Sequence, residues 1–207
     1  MPLDTLSLFF AASLVLCVAP GPDNIFVLTQ SGLYGRLAGL VVTLGLCTGL
    51  IAHTTAVAIG VAAIFQTSEL AFNGLKFVGA AYLLYLAWGA FRAGTTELDG
   101  NGTAQISLKR LYGRGVVMNI TNPKVGIFFL AFLPQFADPA AGAIGAQMML
   151  LGGIFIAATL IVFGVIAWGA GFIGGWLRRS ARAQVIMNRM AGIIFVALAV
   201  RLAVAER

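Results

Sequence analysis

Hydrophobic residues fill most of this chain in long runs, and charged residues are few within them. Six stretches carry little or no charge, at residues 5–33, 37–68, 77–91, 115–137, 139–177 and 183–200. A helix needs about 20 apolar residues to cross the roughly 30 Å hydrocarbon core of a bilayer. The pattern predicts an all-α polytopic membrane protein with about six transmembrane helices. Two of them, near 71–91 and 188–205, are short or flanked by polar residues.

Two polar clusters with proline interrupt the predicted first and fourth helices. Residues 19–24 read Ala-Pro-Gly-Pro-Asp-Asn, and residues 119–124 read Asn-Ile-Thr-Asn-Pro-Lys. Proline removes a backbone donor and breaks the helical ladder, and non-helical backbone at membrane depth is tolerated only inside protein or beside a water-filled cavity. We therefore expect both breaks to line a small polar cavity. The predicted helix-breaking residues are Pro20, Gly21, Pro22 and Pro123.

The two halves of the chain resemble each other in hydropathy when Pro123 is aligned with Pro22. Each half then reads as a broken helix followed by two more, and an odd number of spans makes the second copy enter from the opposite side. We predict one membrane transporter domain over residues 1–207, with repeat 1 at about 1–92, a polar linker at about 93–105 and repeat 2 at about 106–207. Little sequence remains outside the membrane, so we expect no enzyme activity, catalytic residue or cofactor.

Composition agrees with this assignment, because 60% of the residues are hydrophobic and 10% charged, against about 25% charged in soluble domains. The net charge of +6 would indicate nucleic acid in a soluble chain, but here the basic residues read as topology determinants and lipid-headgroup contacts, with no nucleic-acid partner.

Lys and Arg divide nine to three between the predicted sides. The larger, cytoplasmic group is Arg36, Arg92, Lys109, Arg110, Arg114, Arg178, Arg179, Arg182 and Arg189, and the other is Lys76, Arg201 and Arg207. Both termini are then periplasmic or extracellular.

One ionisable residue lies in each polar cluster, and a charge at the bilayer centre costs on the order of 3 kcal/mol or more. We interpret Asp23 as a site for a substrate ammonium or a coupling proton; the alternative is an N-cap for a helix that resumes at Asn24 or Ile25. Lys124 follows Pro123 and could hold a substrate carboxylate beside a helix N-terminus. Its alternative role is to extend to the lipid headgroups.

Other polar residues extend this candidate site. Asn24, Asn119, Thr121 and Asn122 are predicted to complete the substrate contacts, and His53 is a candidate for proton coupling or a packing residue. Cys17 and Cys47 lack metal or C-x-x-C spacing and read as packing residues, so no metal site is predicted.

The two clusters, together with the run Phe-Phe-Leu-Ala-Phe-Leu-Pro-Gln-Phe at 128–136, resemble the LysE/RhtB family of bacterial amino-acid exporters. The resemblance covers essentially the whole chain. It implies a multi-pass secondary transporter of the bacterial inner membrane that exports an amino acid or related metabolite and is driven by protons. It leaves the amino acid and any homo-oligomer open, and the outward direction rests on the resemblance alone.

Two alternatives to an amino-acid exporter stay open. A divalent-cation exporter needs several carboxylate, Cys or His ligands close together, and one buried Asp and one His fit this poorly. A membrane thiol–disulfide electron carrier would have to use Cys17 and Cys47.

The charge bias yields a topology test. Single cysteines placed at Arg36, in residues 93–105 or at 178–182 of a Cys-free variant should resist an impermeant external thiol reagent in intact cells, because these segments are predicted to be cytoplasmic. Labelling of residues 93–105 from outside would reverse the predicted orientation.

Overall fold

The computed structural model describes residues 1–19, 21–67, 69–93, 107–179 and 181–204. It describes the backbone alone at 61–67, 69–73, 75, 171–179, 181, 183–184, 187 and 201–202. Pro20 and nearly all of the predicted linker at 93–105 lie outside the described residues.

The described residues form helices and short turns without a strand, which confirms the all-α prediction. The α-helices are α1 (Leu3–Val18), α2 (Pro22–Tyr34), α3 (Arg36–Thr67), α4 (Glu69–Arg92), α5 (Leu108–Thr121), α6 (Pro123–Ile127), α7 (Ile144–Arg179) and α8 (Ala181–Val204). Helix α6 continues into a π-helical turn at Phe128–Phe132 and a 3-10 turn at Leu133–Phe136. A second 3-10 turn at Pro139–Ala141 leads to α7.

Two helices are long and apolar enough to cross a membrane, α3 over Arg36–Gly60 and α7 over Ile144–Ala170. Two bent pairs add one candidate span each: α1 with α2, bent by 62°, and α5 with Pro123–Phe136, bent by 50°. The described residues therefore hold two to four candidate spans. Helices α4 and α8 fall where the third and sixth spans are expected, and the six-span inverted repeat stays a prediction.

Both bends lie at the predicted polar clusters, and a proline opens the second helix of each pair. Pro22 and Pro123 occupy the first positions of α2 and α6, where the missing N–H has no helical partner in any case and the fixed φ suits a helix. The expected start of the second helix at Asn24 or Ile25 is therefore wrong. Asp23 lies within the first turn of α2 and does not cap it.

A cluster of phenylalanines packs the segment after α6 against α1 and α7. Phe9 of α1 meets the Phe136 ring with centroids 5.0 Å apart, and Phe155 of α7 meets Phe129 at 5.1 Å. Phe128 and Phe132 lie between them, with centroids 4.7 Å apart. All of these rings are buried, so the run at 128–136 holds the second polar cluster against α1.

Helices α3 and α5 approach each other closely where glycines face each other. A Cβ added to Gly115 would lie 2.6 Å from the carbonyl oxygen of Val42, and one added to Gly45 would meet the Tyr112 carbonyl. Small residues allow such backbone contact in membranes, where lipid gives no hydrophobic drive for association. One turn farther along, the contact places Asn119 against Gly49.

Two neighbouring glycines of α5 provide a matched test of this contact. We expect Gly115→Ala to destabilise the protein by about 1–3 kcal/mol through overpacking. Gly113→Ala should be neutral or stabilise by up to about 1 kcal/mol, since nothing lies within 4 Å of a Cβ there. Thermal unfolding in detergent checks both variants, and equal stability would contradict the close approach of α3 and α5.

Candidate substrate-binding site

Asp23 joins the two broken helices. The residue is 4% exposed, and its carboxylate accepts a hydrogen bond from Asn122 Nδ2 at 3.0 Å and another from Asn119 Nδ2 at 3.5 Å. Buried charges are stable only when they are paired or hydrogen-bonded. A carboxylate of the first bent pair thus depends on two amides of the second.

Asn122 connects this carboxylate to the start of α6. Its Oδ1 accepts from the backbone N–H of Lys124 at 3.0 Å and caps α6, while its Nδ2 donates to Asp23. An ionised carboxylate only accepts hydrogen bonds, so this network fixes the orientation of the amide. The Asn122 side chain is buried, and both its oxygen and its nitrogen form hydrogen bonds.

Lys124 turns its ammonium towards the broken end of α1. Nζ donates to the carbonyl oxygens of Ala19 at 3.0 Å and Leu16 at 3.3 Å. In an unbroken helix the carbonyl of Leu16 would accept from residue 20, which is a proline without an N–H. The cation therefore replaces a donor that the sequence has removed, at a helix C-terminus where positive charge is stabilising. The ammonium points into the break, unlike a lysine extended to the headgroups.

Asn24 supplies another donor to the same helix end. Its Nδ2 donates to the carbonyl oxygen of Cys17 at 2.6 Å, and its Oδ1 is buried with no hydrogen-bond partner among the described residues. Oδ1 of Asn119 is likewise buried and unpartnered. An unsatisfied buried acceptor costs about 1–3 kcal/mol, so either oxygen would gain from a donor brought to it.

His53 of α3 reaches the second break. Its Nε2 lies 3.1 Å from the carbonyl oxygen of Asn119, and a carbonyl only accepts, so Nε2 carries the hydrogen. In an unbroken helix this carbonyl would accept from residue 123, which is also a proline. His53 therefore donates to the carbonyl that Pro123 leaves without a donor, as Lys124 donates to the carbonyl that Pro20 leaves without one.

The structure does not bring Thr121 into this cluster. Its side chain is exposed, and its hydroxyl donates to the carbonyl oxygens of Val117 at 2.8 Å and Met118 at 3.3 Å. Threonine in a helix commonly bonds back to its own preceding turn. The other predicted substrate contacts, together with His53, lie close together: Asp23, Asn24, Asn119, Asn122 and Lys124.

Sequence reasoning missed the main-chain acceptors and Gly49. Counting four residues back from Pro20 and Pro123 gives Leu16 and Asn119, the carbonyls that receive the side-chain donors. Gly49 allows Asn119 to fit, since a Cβ there would lie 2.7 Å from the Asn119 amide oxygen. Its signal is the spacing of four from Gly49 to His53, which places both on one face of α3.

Two further observations concern the alternative functions. Cys17 and Cys47 are buried free thiols, and the Cys17 sulfur lies 3.4 Å from the Thr159 hydroxyl. In the described part of the chain, no three His, Cys, Asp or Glu side chains cluster as metal ligands would. Neither observation supports electron transfer or cation export.

An exchange of Asp23 and Asn122 tests the central contact. Asn122→Asp should destabilise the protein, because it sets two carboxylates against each other. The double variant Asp23→Asn, Asn122→Asp should recover stability, because it restores one carboxylate and one amide. Thermal unfolding of the wild type, both single variants and the double variant gives the coupling, expected at about 0.5–3 kcal/mol for contacting residues. Additive effects would mean that the two side chains do not interact.

Comparison with known proteins places the chain in a family. A model of the LysE type translocator matches residues 14–206. The homoserine/homoserine lactone efflux protein of Salmonella typhimurium is 33% identical, covering 96% of this chain and 95% of that protein. The leucine efflux protein of an Enterobacter species is 26% identical, covering 94% and 93%. No solved structure matches the chain significantly. This chain therefore belongs to the LysE type translocator family, as its two polar clusters predict.

Proposed function

We propose that this protein exports an amino acid, or a closely related small metabolite, across the bacterial inner membrane in exchange for protons. The observation that carries the proposal is the buried Asp23 carboxylate, held at one helix break by amides from the other. Ionisable residues inside membranes mark substrate or proton pathways by default. Family membership and the names of the two relatives, which refer to efflux of homoserine and leucine, support an amino-acid substrate.

The substrate ammonium would bind at Asp23. Each carboxylate oxygen has about two acceptor sites, and one donor to each is present in the structure. The unpartnered amide oxygens of Asn24 and Asn119 provide two more acceptors in the cluster. An ammonium has three donors, so it would match this group of oxygens in charge and hydrogen bonding.

The substrate carboxylate would bind at Lys124. The ammonium lies at the break, where a Cβ on Gly21 would be 3.1 Å from Nζ and 3.8 Å from Asn24 Oδ1. Because Gly21 has no side chain, space remains between its backbone, the Lys124 ammonium and the Asn24 amide oxygen. The N-terminus of α2 begins next to it and adds positive potential. A zwitterion would thus find complementary charges within one small region.

We expect proton coupling because a buried, ionised Asp23 without a cationic partner would be unfavourable. When the substrate ammonium departs, a proton can neutralise the same carboxylate, so the two cations compete for one site. Export of the amino acid would then be linked to entry of a proton. His53 is the second candidate in this pathway, because it binds the main chain of Asn119, whose side chain holds Asp23.

The proposal is tested by neutralising Asp23. We expect Asp23→Asn to lower transport at least about tenfold, since hydrogen bonds to charged groups contribute about 1.5–3 kcal/mol. Proteoliposomes with an imposed proton gradient would be screened with radiolabelled amino acids, including leucine and homoserine. Asp4→Asn is the matched control, because Asp4 is an exposed carboxylate in the first turn of α1.

Both variants should elute from size-exclusion chromatography as the wild type does. Transport by Asp23→Asn at the wild-type rate for every substrate would contradict the ionic role of Asp23. A wild-type protein that carries none of the amino acids would contradict the proposed function as a whole.

A further inference from the structure

Helix α2 buries three polar side chains, and one of them has no visible reason to be polar. Asp23 binds two amides of the second break, and Ser31 donates to the carbonyl oxygen of Val27 in its own helix at 2.7 Å. Gln30 is 7% exposed, and its Oε1 is buried with no hydrogen-bond partner among the described residues. A methionine of similar size would fill the same space without the unfavourable burial of a free acceptor. Packing alone therefore does not account for an amide at this position.

Gln30 lies on the same face of α2 as Asp23. The helix is continuous from Pro22 to Tyr34, and seven residues make about two full turns, or about 10 Å along the axis. Val27 lies between the two side chains, one turn after Asp23, and is 0% exposed. This face is turned into the protein and away from lipid. The helix ends close to Arg36, which the charge bias predicts to be cytoplasmic, so Gln30 lies between that end and Asp23.

We infer that Gln30 is a second contact for the substrate ammonium, on the path between the cytoplasmic end of α2 and Asp23. The inference rests on the proposed function. An ammonium has three donors, and Oε1 is an acceptor without a donor. Hydrogen bonds to an uncharged amide are weaker than those to a carboxylate. The ammonium would therefore move on from Gln30 to Asp23, where it is held more strongly.

Gln147 of α7 provides a matched comparison, because it is 6% exposed and its amide is fully bonded. Its Oε1 accepts from the backbone N–H of Asp138 at 3.0 Å, and its Nε2 donates to the carbonyl oxygens of Asp138 at 2.8 Å and Gly142 at 3.1 Å. These bonds hold the segment before α7 against the first turn of that helix. Two buried glutamines of this chain thus differ in whether the protein itself satisfies the amide oxygen.

Replacing each glutamine by methionine tests the inference. Everted membrane vesicles, whose cytoplasmic surface faces outward, would be given a radiolabelled amino acid at a concentration well below KM. Gln30→Met should lower transport per folded protein about tenfold, because a hydrogen bond to a charged group is lost. Its unfolding temperature in detergent should equal or exceed that of the wild type. Gln147→Met should unfold at a lower temperature, while the protein that remains folded transports at the wild-type rate.

Gln30→Leu repeats the measurement with a side chain of different shape, and it should also lower transport without lowering the unfolding temperature. Wild-type transport per folded protein in both Gln30 variants, with lowered unfolding temperatures, would show that the amide is structural and would overturn the inference. Wild-type transport at unchanged stability would overturn it as well. Either result leaves amino-acid transport by the wild type established, whereas a wild type that carries no amino acid would contradict the proposed function itself.

Discussion

Proline within a membrane helix leaves a carbonyl without its donor, and the rest of the site depends on how this chain replaces that donor. Lipid cannot satisfy a free carbonyl, so another part of the protein must. At the first break, Leu16 loses its partner at Pro20 and accepts from Lys124. At the second, Asn119 loses its partner at Pro123 and accepts from His53. Each break thus receives a nitrogen-bearing side chain from another helix, and at the second break the backbone N–H of Asn122 also donates to the Asn119 carbonyl.

The replacement donors also tie the two breaks to each other. Lys124 begins α6 but serves the end of α1, and Asp23 begins α2 but binds amides of the second break. Separating the bent pairs would therefore expose a carboxylate, an ammonium and several carbonyls together. A zwitterionic substrate could replace the lost partners of both charged groups at once, whereas a simple cation or anion could replace only one. The proposed selectivity for amino acids follows from this arrangement.

Sequence alone predicts the helical class, both breaks and the grouping of Asp23, Asn122 and Lys124, because charge and proline inside apolar runs are strong signals. It does not predict the direction of each side chain. Hydropathy leaves the rotation of a helix about its axis open, so Thr121 was expected in the site although its hydroxyl bonds to its own helix. Main-chain acceptors such as the Leu16 carbonyl have no signature in residue type. Their signal is the proline four positions later, which removes the donor.

Asn119 is the residue that connects His53 to Asp23. Its carbonyl accepts from His53 and from the backbone N–H of Asn122, both at 3.1 Å, while its side chain donates to Asp23. Gly49 lies so close that the amide has little space to move away. A shift of the His53 ring would therefore move Asn119 and the hydrogen bond that it donates to Asp23, without direct contact between His53 and Asp23.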